Sequence, residues 1–285
     1  MSVTRPLLFH REYMNQLQRC FLILMGSMII NSSLHKLHAQ TLETTSADQS
    51  TISSNSLIPD ERIVRYDTGF WLGLYTTYWI TDKWGYYGEY HLRRADGLKR
   101  MSKLYLRFGA QYRVDKSLNL TLGAVNRYTW SDHPNDPKEE TFVPEYRFWE
   151  QLVFKVKHFG VKFYHQIRTE QRWKRSIKIA DSEYYYYNRF RYKLLGYVPL
   201  YGPLAQPGSW FLCFYNEIFM QAGEKVEYNF FEDNRTYGGI AYAFTDALHI
   251  HFGFMKSFGQ LDAVTFRDND IVRLSIYNKL NFNDD

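Results

Sequence analysis

Six histidines fall in the regularly patterned part of this 285-residue chain: His91, His133, His158, His165, His249 and His251. A serine two residues after a histidine on one strand would share its face and could pass it a proton, an arrangement suited to hydrolysis by an activated nucleophile. The residues two positions on are instead Arg93, Asn135, Gly160, Ile167, His251 and Gly253. Asp132-His133 is the single acid–histidine couple that a protease could use, and surface loops carry such pairs without any role. His249 and His251 face one way if extended and could share a divalent metal, but no third ligand can be named, and polar packing is the simpler reading. No catalytic residue and no cofactor is therefore assigned.

The richer chemistry is charge at a spacing of two. Arg168, Glu170 and Arg172 alternate with apolar or neutral residues, as do Arg189, Arg191 and Lys193. With Glu89, Arg93, Arg107, Arg113, Arg127, Arg147, Lys155, Lys162, Glu217, Arg235, Arg273 and Lys279 they form a set in which bases outnumber acids several-fold. Arg189 and Arg191 lie one strand from Glu217, with Arg235 on the strand after, so a charge-assisted cluster is expected there. Arg107, Arg127, Arg147, Arg168, Arg172 and Arg273 are the further bases of the same face. Two readings of this face compete: a filled, rigid interior, or a narrow lumen that concentrates anions.

The elements that must position these groups are strands. Roughly ten- to fourteen-residue stretches alternate apolar with polar side chains near 68–80, 84–94, 102–113, 117–130, 144–156, 160–172, 184–196, 209–221, 235–244, 248–257 and 270–282. A tilted membrane-crossing strand needs about 9–11 residues, longer than the usual globular strand. Aromatics make up 18% of the chain while mean hydropathy is only −0.45, as expected when half of each strand meets lipid and half a polar interior. The expected fold is an all-β, antiparallel, up-and-down transmembrane barrel. An Arg or Lys facing lipid near the midplane costs about 2–4 kcal/mol, which sends the charged set inward. Glu150, between Phe148 and Leu152, breaks the scheme and calls for a bulge or a position at the rim.

Tight turns at 81–83, 114–116, 157–159 and 245–247 alternate with longer connections at 131–143, 173–183, 222–234 and 258–269, the turns expected in the periplasm and the loops outside. Eleven strands counted this way would close in parallel. Even counts are the rule, so a twelfth strand is predicted around residues 60–65, with ten strands as the competing count. Trp71, Trp79, Trp84, Trp149, Trp210 and the run Tyr184 to Tyr187 suit an aromatic girdle, with sugar stacking as the functional alternative for the tyrosines. Acidic residues of the loops, Asp132, Asp136, Glu139, Glu140, Glu232 and Asp233, suit either plain solvation or a Ca²⁺ bridge to lipopolysaccharide.

Residues 1–40 read as a signal peptide: Arg5, Arg11 and Arg19 precede the short apolar run Phe21 to Ile30, and a start at Met14 would preserve this order. Cys20 precedes that run, which excludes a lipoprotein cleavage site, and removal of the leader leaves Cys213 alone, with no intrachain disulfide. Residues 41–59, rich in Ser and Thr, read as a disordered linker, and 60–285 as the barrel. The net charge of +5 is scattered, with no basic cluster, so nucleic acid is not an expected partner.

Four segments carry a resemblance: Trp71-Leu72-Gly73 followed by Thr81-Asp82-Lys83-Trp84, Asn188 to Tyr192, Tyr215 to Phe219, and Asn234 to Gly239. In order and spacing the chain from Phe70 to Phe282 resembles the bacterial family known as domain of unknown function 2490. That resemblance implies a barrel in the outer membrane of a Gram-negative cell and implies no activity, ligand or catalytic residue. The chain departs from the common barrel ending, since Asn-Asp-Asp follows Phe282. The expected partners are the lipid bilayer, lipopolysaccharide and the barrel-assembly machinery. The expected role is structural, or binding of a ligand or partner through outer loops; a porin-like, anion-favouring channel is the alternative, and a hydrolase ranks last.

Overall fold

The computed structural model describes residues 62–132, 135–224 and 226–283. The signal peptide, the linker and His133 lie outside these residues. Among the described residues eleven strands run in chain order: β1 Ile63–Trp79, β2 Trp84–Ala95, β3 Arg100–Arg113, β4 Leu118–Trp130, β5 Phe142–His158, β6 Val161–Lys174, β7 Tyr185–Tyr201, β8 Trp210–Ala222, β9 Phe231–Ala243, β10 Leu248–Gln260 and β11 Thr265–Asn281. Each pairs antiparallel with its sequence neighbours, and β1 closes the cylinder against β11 in parallel.

The twelfth strand predicted upstream is absent from the described residues, and the ten-strand count is equally wrong. Ile63 and Val64, its supposed core, are the first residues of β1 and pair with Thr265 and Phe266. The parallel seam is unbroken from Ile63↔Thr265 to Trp79↔Asn281. Its slanted hydrogen bonds are only slightly weaker per residue than antiparallel ones, and a 17-residue strand offsets that difference by length. An even strand count is a habit of the class, not a condition of closure. Leu74 faces Ile276 across the seam. With Cys213→Ser as background, Leu74→Cys and Ile276→Cys should therefore form a disulfide on mild oxidation of the folded protein, read as a mobility change reversed by reductant. An intervening strand would hold the two positions about 9.6 Å apart, beyond the reach of an S–S bond, and no product would form.

Local chemistry explains the tight turns. Thr81 Oγ1 accepts from the Trp84 amide at 2.9 Å, and Thr245 Oγ1 accepts from the Leu248 amide at the same distance, so two Thr-Asp segments close in one way. Asp115 plays that part in the next turn: Oδ1 accepts from the Ser117 hydroxyl at 2.7 Å and from the amides of Ser117 and Leu118, which holds its carboxyl below the usual range. Between β5 and β6 only Phe159 and Gly160 intervene, both at positive φ, as a two-residue hairpin requires. The connection 202–209 is longer because Leu204 and Ala205 fold back against the buried cluster of Phe211, Cys213 and Tyr215. At the loop end the strands run further than alternation suggested: the predicted loop 258–269 shrinks to 261–264 and the loop 222–234 to 223–230.

Alternation holds along the wall, and the outer face is apolar: Leu122, Phe148 and Phe254 are 61%, 59% and 65% exposed. Outward aromatic pairs mark both ends, Trp84–Tyr112 and Trp210–Tyr242 at the turns, Trp130–Phe142 and Trp173–Tyr186 at the loops. Trp71, Trp79 and Trp149, expected in the girdle, point inward instead. Trp149 stands in phase with Arg147 and Gln151, so strand parity carries its ring inside, where it is 0% exposed. Tyr187 is likewise buried. Glu150 needs no bulge, because the register of β5 runs through it unbroken on both sides. It faces outward, and the Thr169 hydroxyl and Gln171 Nε2 donate to its carboxylate.

Candidate functional site

The interior is built from charged residues that strand parity places on one face and antiparallel register then brings side by side. On β6 and β7, Glu170 stands opposite Arg189 and Arg168 opposite Arg191; on β5 and β6, Arg147 stands opposite Arg172. Glu89 faces Arg107, Arg127 faces Glu145, and Lys193 faces Glu217. Further pairings join strands that are not neighbours: Arg107 with Glu170, Arg168 with Glu89, and Arg172 and Arg189 with Glu232.

Glu170 is the hub. Its carboxylate accepts from Arg107 at 3.2 Å, Arg147 at 2.5 Å, Arg189 at 3.4 Å and Arg191 at 2.7 Å, and the side chain is 0% exposed. Below it Glu89 pairs with Arg107 and, at 2.7 Å, with Arg168, whose Nε also donates to Gln151 at 2.8 Å. Above it Glu145 holds Arg127, Arg147 and Arg172, each at 2.7 Å, and Glu232 receives Arg172 at 3.1 Å together with Arg189. Beside it Glu217 takes Arg191 at 2.6 Å and Lys193 at 3.6 Å. Each carboxylate thus serves two or more cations, which satisfies charges that would be prohibitively costly to bury singly. Guanidinium planes also lie over rings: Arg168 over Trp149 at 4.6 Å, Arg172 over Tyr187 at 4.3 Å, Arg93 over Trp71 at 3.4 Å.

Arg191 and Glu217 form the contact expected of the cluster, while its other two members turn elsewhere. Arg189 goes to Glu170 and Glu232, and Arg235, though in register with Glu217, pairs with Asp233 at 2.6 Å. Asp233 also accepts from Ser257 at 2.8 Å and lies 3.8 Å from Arg267. Glu232 and Asp233, read from sequence as loop acids, are members of β9, and the rhythm Asp233, Arg235, Tyr237 was the signal for extending that strand. Glu145 was missed as an inward acid although it sits two residues before Arg147. Arg273 reaches no carboxylate among the described residues; it donates to the hydroxyls of Tyr215 and Tyr75 and to Ser275 Oγ at 3.1 Å. Nearer the turns, Arg113 lies over Trp79 at 3.8 Å, and Lys279 is exposed.

His249 and His251 sit at the turn end among rings, His251 against Tyr277 at 4.2 Å and both against Phe211. Among the described residues no three His, Cys, Asp or Glu side chains gather as a metal site. Asp132 pairs with Arg100 at 2.7 Å, and Glu140 with Arg175 at 2.5 Å, so these loop acids serve as struts between loops.

Two spaces inside bear on function. One, at mid-height between Glu89, Arg107, Arg191 and Glu217, has a volume of about 30 Å³, room for about one water. The other, of about 540 Å³, opens at the loop end above Arg172 and Arg189.

The family model described as "Protein of unknown function (DUF2490)" matches residues 68–267. The chain belongs to the DUF2490 family. Neither the search of curated proteins nor that of solved structures returned a match. The match to DUF2490 spans from β1 into β11 and so takes in every carboxylate of the buried network.

Proposed function

We propose that this DUF2490 protein is an integral outer-membrane barrel whose lumen is sealed by its own charged side chains and which acts at its loop end, not as a pore. The observation that carries the reading is the inverted distribution of polarity. Arg168, Arg172 and Glu170 are at most 1% exposed, whereas the wall outside them presents Phe148, Phe254 and Leu122. In water such a surface would expose apolar area far beyond the patch a soluble monomer tolerates. In a bilayer it is the stable arrangement, with aromatic pairs at both ends suited to the two headgroup levels. A closed barrel also satisfies the backbone without an edge strand, which lipid demands.

Sealing rests on the layers around Glu170, on the one-water void beneath them, and on Leu204 and Ala205 packed against the buried cluster of Phe211, Cys213 and Tyr215 toward the turn end. Cations outnumber carboxylates inside, which favours the anion channel as the second reading.

Planar-bilayer recording separates the two. The refolded protein should give no stable open level, and an anion-preferring conductance step would establish the channel instead. The membrane reading has its own test: the mature chain should sediment with outer membranes, resist alkaline extraction and show heat-modifiable mobility in detergent. A monomer that stays in plain buffer without detergent would overturn it.

A further inference from the structure

The loop-end cavity is more basic than its own carboxylates can balance. Eleven Lys and Arg residues line it against four acids, Asp67, Glu145, Glu232 and Asp233. Most of the arginines are accounted for: Arg127 and Arg172 pair with Glu145, Arg189 with Glu232, Arg175 with Glu140, and Arg235 and Arg267 with Asp233. Two inward lysines are not. Lys103, on β3, lies among Arg93, Arg127, Arg267 and the Tyr105 ring, and Lys174, at the end of β6, among Arg127, Arg172, Glu145 and Glu232. Neither ammonium has a carboxylate within ion-pairing distance among the described residues, and both line the open cavity. Lys103 in particular has other cations for its charged neighbours.

A half-buried cation next to other cations costs stability, and a barrel that needed only to be filled would do better with a glutamine or a leucine at either position. The charge is explained by something negative that enters. Lys103 is in register with Thr129, two residues from Arg127, and Arg127 is in register with Glu145, one strand before Lys174, so the three cations line one side of the cavity. Lysine offers a mobile point charge and arginine a fork, the combination that suits phosphate oxygens. Tyr185 and Tyr187, stacked at 5.8 Å, add ring faces to the same wall. A volume of about 540 Å³ falls in the range of small-molecule sites, while a lining of fifteen charged residues with further polar ones disfavours an acyl chain or other greasy ligand. We infer that this vestibule binds a phosphorylated, sugar-sized anion, held by Lys103, Arg127 and Lys174. The inference rests on the reading of a barrel that works at its loop end. Two sources share this chemistry, a soluble sugar phosphate and the phosphorylated head of a glycolipid.

The test uses the whole mature chain, folded in detergent, with inorganic pyrophosphate as the probe, followed by calorimetry. Pyrophosphate should bind with an affinity that falls as salt rises, and Lys103→Met and Lys174→Met should each weaken it about tenfold, the loss of one charge-assisted hydrogen bond. Lys103→Arg should retain most of the binding, and Lys99→Met, in an exposed loop outside the cavity, should retain all of it. Both methionine variants should be at least as resistant to urea as the parent, whereas a purely structural role for the lysines predicts that they unfold sooner. Glucose 6-phosphate, and vesicles carrying lipopolysaccharide with or without its phosphates, then identify the source by which of them competes with pyrophosphate. A folded, non-conducting barrel that ignores pyrophosphate, or binds it equally well without both lysines, overturns this inference and leaves the sealed barrel standing.

Discussion

Glu170→Gln should be the most damaging single-atom change available in this barrel, lowering unfolding free energy by about 3–5 kcal/mol. The substitution keeps size and shape and removes one negative charge from the point where Arg107, Arg147, Arg189 and Arg191 converge. The magnitude follows from an asymmetry. Burying the network is roughly neutral once every charge is paired, but withdrawing one partner leaves the other ions buried with their desolvation cost uncompensated. Here one carboxylate serves four guanidiniums, and Arg107, Arg147 and Arg191 cannot rotate out to water through the filled lumen, while Arg189 alone borders the loop-end cavity. Equilibrium unfolding in urea from detergent or lipid vesicles, followed by tryptophan fluorescence and heat-modifiable mobility, gives the number. Glu183→Gln is the matched control, an exposed carboxylate in the loop between β6 and β7, for which a change under about 1 kcal/mol is expected. Adding Arg189→Gln to Glu170→Gln should recover part of the loss, because it removes one of the stranded cations. A Glu170→Gln protein within about 0.5 kcal/mol of the parent would show that water, not the arginines, solvates this carboxylate.

The wall of this molecule was legible in its sequence because strand parity is a strong local signal with a period of two. It placed Arg168, Glu170 and Arg172 inside and Phe148 and Leu152 outside, and it placed every strand from β1 to β11. Parity says nothing of how a sheet closes, so the strand count was lost to a rule about even numbers, although Ile63 and Val64 were visible at the head of β1. Parity also overrides residue character. Trp149 looks like a lipid-facing ring and Glu150 like an interior acid, yet the stronger constraint of their neighbours exchanges them. Partner choice inside the lumen was legible only where it is local. Arg191 and Glu217 lie on adjacent strands and were found; Arg172 with Glu232, or Arg168 with Glu89, meet across the lumen, and no spacing in the chain announces them. The vestibule, which depends on strands running beyond the predicted loops, was hidden for the same reason.

Trp149→Ala should cost about 3–5 kcal/mol, the usual loss for a fully buried large aromatic, and should be the second most damaging change. The reason lies in the wall behind the ring. Gly109 and Gly123 stand opposite one another on β3 and β4, and Gly123 is also the register partner of Trp149 on β5. A Cβ on Gly123 would come within 2.9 Å of Trp149 Nε1 and collide with the Phe108 carbonyl oxygen, so the glycines make the recess in which the indole lies. Its Nε1 donates to the Ala124 carbonyl at 3.3 Å, and Arg168 and Arg107 rest on its inner surface at 4.6 and 5.6 Å. Truncation therefore removes packing on the wall side and the ring faces that steady two arginines of the network. Neither glycine can fill the gap, since neither has a side chain to move into it. Gly123→Val tests the same recess from the other side: the offending contact includes backbone, which cannot swing away, and the variant should fail to reach the heat-modifiable folded form. If Trp149→Ala unfolds with the parent, or Gly123→Val folds normally, the indole is not what braces Arg168 and Arg107, and the network stands on its ion pairs alone.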